Sequence, residues 1–163
     1  MLLSVEQRRI LFSHPAGWIA TGFGVGLSPL APGTAGSLAA LPFWLALREL
    51  PAVWCLPVLA IAFLLGVWAC GWSARALRID DPSIAVFDEF VGQWLSLTPL
   101  LLWRGGFGWI FAGFILFRFF DVAKPWPVSW ANDRVNGGLG VMLDDVLAGA
   151  YAALALAALL WLL

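Results

Sequence analysis

Charged residues are scarce in this chain. Only 12% of its 163 residues are Asp, Glu, Lys or Arg, whereas 62% are hydrophobic and the mean hydropathy is +0.90. A soluble domain usually has about a quarter charged residues, so the composition predicts an integral membrane protein. The formal net charge of −1 supplies no basic field, and we therefore expect no nucleic-acid partner.

Histidine and cysteine are also rare. The one histidine is His14, and the two cysteines, Cys55 and Cys70, lie in a single apolar run. Because zinc sites are built from several His or Cys ligands, this shortage argues against zinc. We interpret both cysteines as small residues that face the core or lipid. Without repeats or a linker, the sequence predicts one domain, residues 1–163, with 1–16 as a short cytoplasmic segment.

Long uncharged runs predict an all-α membrane protein with about four to five membrane helices. The clearest run covers residues 52–73, or 22 residues, close to the roughly 20 that cross a bilayer. The short runs predict tilted helices, or helices whose ends lie at the interface, with a turn at 104–106. The other four runs are 37–47, 91–103, 107–117 and 146–163.

The basic residues predict an orientation. If the five elements alternate, one side receives seven basic residues, and the other receives only Arg48 and Arg104. The positive-inside rule makes the first side cytoplasmic. The seven are Arg8, Arg9, Arg75, Arg78, Arg118, Lys124 and Arg134. The same alternation brings four polar segments, 22–37, 78–89, 118–127 and 136–145, to that face, and we expect a polar site there.

Three acidic clusters lie in these segments. Asp88 and Glu89 are predicted to open one helix, Asp144 and Asp145 to open another, and Asp121 to lie near the end of a third. A single acidic pair is explained equally well as a helix cap that complements the helix dipole. Three clusters on one face would repel one another. A hard divalent cation with oxygen ligands, Mg²⁺ most readily, would relieve that repulsion.

Basic side chains accompany the acids. Arg118, Asp121 and Lys124 are each three residues apart, so one helical face would gather them. Pro125 disfavours helical backbone at Lys124, which predicts that its ammonium is presented from a non-helical turn. Together with Mg²⁺, these groups predict a phosphate site. Ordinary salt bridges at a helix end are the alternative.

The segment 22–37, GFGVGLSPLAPGTAGS, is rich in glycine and proline. Such a composition argues against a regular helix. We expect it to precede an apolar helix and to offer backbone amides to an anion. It is not a Walker loop, because no Lys follows its last glycine. Close helix packing through the glycines is the alternative, and it has more weight for 22–26. The predicted phosphate-binding residues in this segment are Gly33, Thr34, Gly36 and Ser37.

Four motifs carry a resemblance to a known family. They read GFGVGLSPLAPGTAGSLAALP, DPSIAVFDEFVGQWL, FRFFDVAKPWPVSWAN and GGLGVMLDDVLAGAYA. In this order, over about residues 17–151, they resemble the phosphatidylglycerophosphatase A family. The resemblance implies an all-helical, Mg²⁺-dependent lipid phosphatase of the bacterial inner membrane, with its site facing the cytoplasm. It would hydrolyse the membrane lipid phosphatidylglycerophosphate to phosphatidylglycerol and phosphate; no oligomeric state is indicated.

The resemblance assigns functional positions residue by residue. Asp81 matches no motif position, and we leave it out of the predicted site. The predicted metal ligands are Asp88, Glu89, Asp121, Asp144 and Asp145. The predicted catalytic residues are Asp88, Asp121, Lys124 and Asp145. Arg118 and Lys124 join the glycine-rich segment in binding phosphate.

Metal-assisted hydrolysis is the mechanism we infer from these residues. A carboxylate takes the proton of the attacking water, while Lys124 and the loop amides hold the charge on the phosphoryl oxygens. An aspartyl-phosphate intermediate and attack by Thr34 stay open. A transport protein with an acidic ion path is a second hypothesis, although the acids are predicted at helix ends rather than deep in a span. A structural membrane subunit is a third.

Overall fold

The computed structural model describes residues 3–103 and 105–163, and this part of the chain contains helices and no strand. The predicted all-α class is therefore confirmed. The α-helices are α1 (Val5–Phe12), α2 (Pro15–Ala20), α3 (Pro32–Leu47), α4 (Cys55–Leu77), α5 (Phe87–Ser96), α6 (Phe107–Ala123), α7 (Val128–Arg134) and α8 (Gly137–Leu162). Short 3₁₀ helices cover Val25–Leu27, Ala52–Trp54 and Thr98–Leu101.

Two helical segments are long and apolar enough to cross a membrane. They are Ala52–Leu77 and Gly137–Leu162, and they suggest a membrane protein. The helices α3 and α6, with 16 and 17 residues, are shorter than the roughly 20 residues of an upright span. The count of four to five spans therefore stays a prediction. Arg104 is one of the two basic residues predicted on the far side of the membrane, and it belongs to the predicted turn at 104–106. It lies outside the described residues.

The predicted element 91–103 is divided in the structure. The helix α5 ends at Ser96, and a 3₁₀ helix begins at Thr98. Pro99 accounts for the break, because it donates no backbone hydrogen bond and restricts the residue before it. As a result, α5 is a ten-residue helix whose first turn, with Asp88 and Glu89, lies at the polar end of the protein as predicted.

Helix α8 is packed between α4, α5, α6 and α7. Glycine pairs permit the closest approaches. A Cβ atom added to Gly149 would lie 2.5 Å from the Gly92 carbonyl oxygen on α5, and one added to Gly138 would lie 2.6 Å from the Gly71 nitrogen on α4. Small residues let membrane helices come this close. These contacts fix α8 against α4 and α5, so the acids of α8 face those of α5.

The outer surface of the bundle is apolar. Along α6, exposed residues recur every four positions at Phe107, Phe111, Ile115 and Phe119. This spacing places them on one face of the helix. A contiguous apolar face of this size is unusual for a protein surrounded by water, and it fits contact with lipid.

Helix α3 begins earlier than predicted. The sequence argued against a helix over 22–37, yet α3 starts at Pro32 and includes Gly33 to Ser37. Proline suits the first helical position, because its missing N–H would have no partner in the helix there. The prediction that this run precedes the helix is therefore wrong. The amides of Gly33 and Thr34 still lack helical partners, because the ladder begins with the Ala35 N–H donating to the Ala31 carbonyl.

Helix α8 also begins earlier than predicted. Asp144 and Asp145 were expected to open it, but its first residue is Gly137. At about 1.5 Å per residue, the two acids lie roughly 10 Å inside the helix. The glycines after Asn136 did not prevent helix formation, because Gly138 packs against Gly71 and is stabilised by that contact.

Candidate active site

A cavity of about 320 Å³ lies at the polar end of the bundle. It is formed by the start of α3, the segment before α5, the first turn of α5, the end of α6 and the first third of α8. Six carboxylates line it, and they include all five predicted metal ligands. The lining residues are Pro32, Gly33, Asp81, Ser83, Ala85, Asp88, Glu89, Asp121, Val122, Lys124, Asp144 and Asp145. The structure therefore brings the three acidic clusters together.

Arg118 balances two of these acids. Its guanidinium forms an ion pair with Glu89 and another with Asp121, the latter at 3.0 Å between Nη1 and Oδ2. The Asp121 contact is the helical pairing that the sequence predicted. The hydroxyl of Ser37 donates a 2.7 Å hydrogen bond to Glu89 Oε2. Arg118, predicted to bind phosphate, is thus already held between two carboxylates.

Lys124 balances a third acid. Its Nζ donates to Asp144 Oδ2 at 2.7 Å and also donates to Asn132 Oδ1. Lys124 ends α6 with φ 42° and ψ 57°, so the predicted non-helical turn is confirmed. The pairing partner, however, is Asp144 and not Asp121. Burial lowers the pKa of Lys124, but the hydrogen bond and charge of Asp144 outweigh it, and the pKa lies above its usual value.

Glu89, Asp121 and Asp144 are called the paired acids below. Asp88 and Asp145 are called the unpaired acids, because neither forms an ion pair with any described residue. One oxygen of Asp88 accepts the Glu89 backbone N–H at 2.9 Å. The side chain of Asp145 is buried, and its Oδ2 has no hydrogen-bond partner among the described residues.

The unpaired acids carry an uncompensated electrostatic cost. Burial, followed by the negative charge of Glu89, raises the pKa of Asp88 well above its usual value. A buried carboxylate oxygen without a partner is expensive, typically by about 1–3 kcal/mol or more. This arrangement is unfavourable for the protein alone.

The glycine-rich run has two different environments. Gly33 lines the cavity, and a Cβ atom added there would collide with Glu89 Oε1. Gly36 instead packs against α5, since an added Cβ would lie 2.9 Å from the Val86 Cβ. Neither Thr34 nor Gly36 is among the cavity-lining residues. Their role in phosphate binding, with that of Gly33 and Ser37, stays a prediction.

Gly24 does not show the close packing considered for 22–26. An added Cβ there would meet no described atom within 4 Å, but the residue has φ +96°. Glycine is required at this position by its left-handed backbone and not by a neighbouring helix. Gly26, in contrast, is in tight contact with the Ile84 carbonyl.

Comparisons with known proteins assign the chain to a family. The family model described as phosphatidylglycerophosphatase A matches residues 18–160. The chain belongs to the phosphatidylglycerophosphatase A family. It is 41% identical over 149 residues to the Escherichia coli protein named phosphatidylglycerophosphatase A, across 91% of this chain and 86% of that protein. The Haemophilus influenzae protein of the same name is 39% identical over 160 residues, 96% of each chain.

A third relative has a different name. A Bacteroides thetaiotaomicron protein, named as a candidate phosphatidylinositol-3-phosphatase, is 40% identical over 150 residues, 89% of this chain and 93% of that protein. No solved structure matches the chain. As a member of the phosphatidylglycerophosphatase A family, the chain is a phosphatase, and the transport hypothesis finds no support.

The carboxylate oxygens of this cavity are ligands of the kind that a hard cation prefers. No group of three His, Cys, Asp or Glu side chains in the described residues is already arranged to hold a metal ion. However, six carboxylates line one cavity that Lys124 and the adjacent Arg118 only partly neutralise. The unpartnered Oδ2 of Asp145 is an oxygen donor of the kind that Mg²⁺ prefers.

Sequence reasoning missed two residues of the site. Asp81 lines the main cavity, and it also lines a smaller one of about 80 Å³ with Asp144. Its signal was its position in the acidic segment RIDDPSIAVFDE. Asn132 accepts a hydrogen bond from Lys124. Asn132 is the last residue of the motif FRFFDVAKPWPVSWAN. The signal available in the sequence was its amide side chain, which follows the Lys124-Pro125 turn of that motif.

Proposed function

We propose that this protein is a Mg²⁺-dependent phosphatase that converts phosphatidylglycerophosphate to phosphatidylglycerol and phosphate at the cytoplasmic face of the bacterial inner membrane. The observation that carries the proposal is the buried, unpartnered carboxylate oxygen of Asp145 in an acid-lined cavity that also contains Lys124. The names of the Escherichia coli and Haemophilus influenzae relatives support the choice of substrate.

The unpaired acids are the first candidates for holding Mg²⁺. Asp88 and Asp145 have no competing cation among the described residues, whereas each of the paired acids would have to share its charge with Arg118 or Lys124. Glu89, Asp121 and Asp144 complete the set of oxygen donors around the cavity. When bound, Mg²⁺ supplies Lewis-acid polarisation of the phosphomonoester.

The cations of the site hold the phosphoryl group. Lys124 extends from a left-handed turn whose backbone is fixed, and its ammonium stays charged because Asp144 raises its pKa. It is therefore placed to donate to a phosphoryl oxygen. The Gly33 amide, which lacks a helical partner and belongs to a cavity-lining residue, would add a neutral donor at the start of α3, next to the equally unpartnered Thr34 amide.

A carboxylate of the site accepts the proton of the attacking water. As the water oxygen bonds to phosphorus, the bond from phosphorus to the glycerol oxygen breaks and that oxygen takes up a proton from solvent, while the carboxylate later releases its own proton to solvent. Asp121 is a well-fixed base for this role, because Arg118 holds its Oδ2 at 3.0 Å. Base catalysis requires such a fixed geometry before it requires a suitable pKa.

Phosphate release tests the function. Purified protein in mixed micelles is expected to release phosphate from phosphatidylglycerophosphate when Mg²⁺ is present and to stop when a chelator is added. Phosphatidylinositol-3-phosphate serves as the comparison substrate, because it is the substrate named for the Bacteroides relative. Faster hydrolysis of phosphatidylinositol-3-phosphate would refute the proposed substrate. Activity that survives the chelator would refute the dependence on Mg²⁺.

Cysteine labelling tests the multi-pass topology. In a background without Cys55 and Cys70, we expect cysteines introduced at Gly106 and Asp133 to be labelled from opposite sides, with 133 cytoplasmic. Gly106 is suitable because an added Cβ would meet no described atom within 4 Å, and Asp133 is exposed. Labelling of both from one side would show that the segment between α5 and α6 does not reach the far face.

A further inference from the structure

Exposed apolar side chains flank the mouth of the acid-lined cavity. Val122 lines the cavity and is 74% exposed, while Leu30 and Trp126 are 81% and 75% exposed. Leu30 lies two residues before Pro32, another lining residue, and Trp126 lies four residues after Val122. Large apolar groups thus stand beside a cavity that is otherwise rich in carboxylates. These three residues are called the apolar rim below.

The fold holds the rim in place. Val122 is the penultimate residue of α6, and Leu30 directly precedes Ala31, whose left-handed backbone at φ 43° turns the chain into α3. The carbonyl of Trp126 accepts a 2.9 Å hydrogen bond from the Tyr151 hydroxyl of α8. Since α3 and α6 contact each other, the rim belongs to two elements that enclose the same site.

Apolar contact can add to substrate binding at this charged cavity. A phosphomonoester dianion that approaches six carboxylates is repelled, and only Lys124 and Arg118 attract it from the protein side. Free energy gained at parts of the substrate that do not react can offset this repulsion. A lipid has such parts, because its acyl chains begin a few bonds from the phosphate.

We propose that the side of the cavity lined by Pro32, at the start of α3, and by Val122, at the end of α6, is a lateral portal through which a diacyl lipid reaches the site from the bilayer. The lipid's acyl chains and glycerol contact the apolar rim while its phosphate enters the cavity. This inference rests on the proposed function and adds the source of its selectivity for a membrane-embedded lipid over a water-soluble phosphomonoester. The rim is continuous with the cavity through Val122 and Pro32.

Matched residues elsewhere distinguish a portal from general contact with lipid. Val53 is 75% exposed, close to the 74% of Val122, and it lies at the other end of α4 from the site. Leu102, at 76%, matches Leu30, and Trp161, at 78%, matches Trp126. A polar or small residue at each control position removes similar apolar surface, but none of the control residues lines the cavity.

The test compares two forms of one substrate. Hydrolysis of long-chain phosphatidylglycerophosphate in vesicles and of its soluble dihexanoyl form is measured per folded protein, and the ratio of the two kcat/KM values is taken. Val122→Ser is expected to lower this ratio about fivefold, and the double variant Leu30→Ser/Val122→Ser is expected to lower it about tenfold or more. The reason is that lost apolar contact weakens the binding of the long-chain form and not that of the soluble form. Val53→Ser and Leu102→Ser are expected to keep the wild-type ratio.

The outcomes separate the two proposals. A wild-type protein that hydrolyses neither form would overturn the proposed function. An active wild-type protein whose ratio is unchanged by Val122→Ser, or falls equally in Val53→Ser, would overturn the portal alone. If Val122→Ser fails to fold, Leu30→Ser against Leu102→Ser and Trp126→Ala against Trp161→Ala give the same comparison.

Discussion

The paired and the unpaired acids line the same cavity but differ in what balances their charge. Arg118 and Lys124 neutralise the paired acids within the fold, whereas no described cation neutralises Asp88 or Asp145. Breaking a buried ion pair typically costs about 3–5 kcal/mol, so removal of a paired acid is expected to destabilise the fold. The unpaired acids oppose stability in the protein alone. The two groups of acids therefore differ in their cost to the fold because of their partners, and not because of their spacing.

The largest expected effect concerns the activity of the unpaired acids. Asp88→Asn and Asp145→Asn are each expected to reduce phosphate release by at least about a hundredfold, as for a lost metal ligand or general base. Both variants keep the shape of the side chain and are expected to fold. Activity is measured per folded protein, with Glu49→Gln, an exposed acid outside the cavity, as the control. Near-normal activity in both variants would remove the unpaired acids from the site.

Glu89, a paired acid, is expected to differ from the unpaired acids by a smaller but clear loss of stability on substitution. Glu89→Gln removes the ion pair with Arg118 and weakens the hydrogen bond from Ser37. Since Arg118 keeps Asp121 as a partner, we expect a loss of about 2–3 kcal/mol in the free energy of unfolding. Thermal unfolding in detergent with a chelator measures it. If Asp145→Asn lowers stability more than Glu89→Gln does, the division of the acids is wrong.

A substitution at Gly33 tests whether the position of Glu89, a paired acid, affects both stability and activity. In Gly33→Ala the new methyl would collide with Glu89 Oε1, and overpacking of this kind costs about 1–3 kcal/mol. Because the collision displaces a carboxylate of the site, specific activity is expected to fall as well. Gly24→Ala is the control, since its left-handed backbone costs about 1–2 kcal/mol without any contact to the site. Equal specific activity in the two variants would contradict this account.

The smallest expected effect is a dependence of stability on pH. The pKa of Asp88 is raised in the folded protein, so the folded state binds its proton more tightly than the unfolded state does. The unfolding free energy therefore falls as pH rises from the ordinary aspartate pKa, about 4, toward the raised value. In chelator, Asp88→Asn is expected to unfold at a higher temperature than wild type at pH 7, and the gain should shrink toward pH 4. A gain that is constant with pH would show that ionisation of Asp88 is not its cause.

Local patterns predicted much of the site because they depend on short-range geometry. The i, i+3 spacing of Arg118 and Asp121 predicted their contact, which the structure shows at 3.0 Å. Pro125 predicted the non-helical backbone of Lys124. The starts of α3 and α8 were predicted wrongly, because Gly33 and Gly138 lower intrinsic helix propensity but gain tertiary contacts that no local rule includes.

The helical class, the apolar exterior and the gathering of acids at one end of the protein could all be predicted from the amino-acid sequence. These follow from composition and from hydrophobic runs, which depend on the solvent around each segment and not on distant residues. The pairing of the acids depends instead on tertiary contacts. Lys124 and Asp144 are 20 residues apart and Ser37 and Glu89 are 52 apart, and such contacts depend on how α6 packs against α8 and α3 against α5. For the same reason the unpartnered oxygen of Asp145 became visible only when every neighbour had been placed around it.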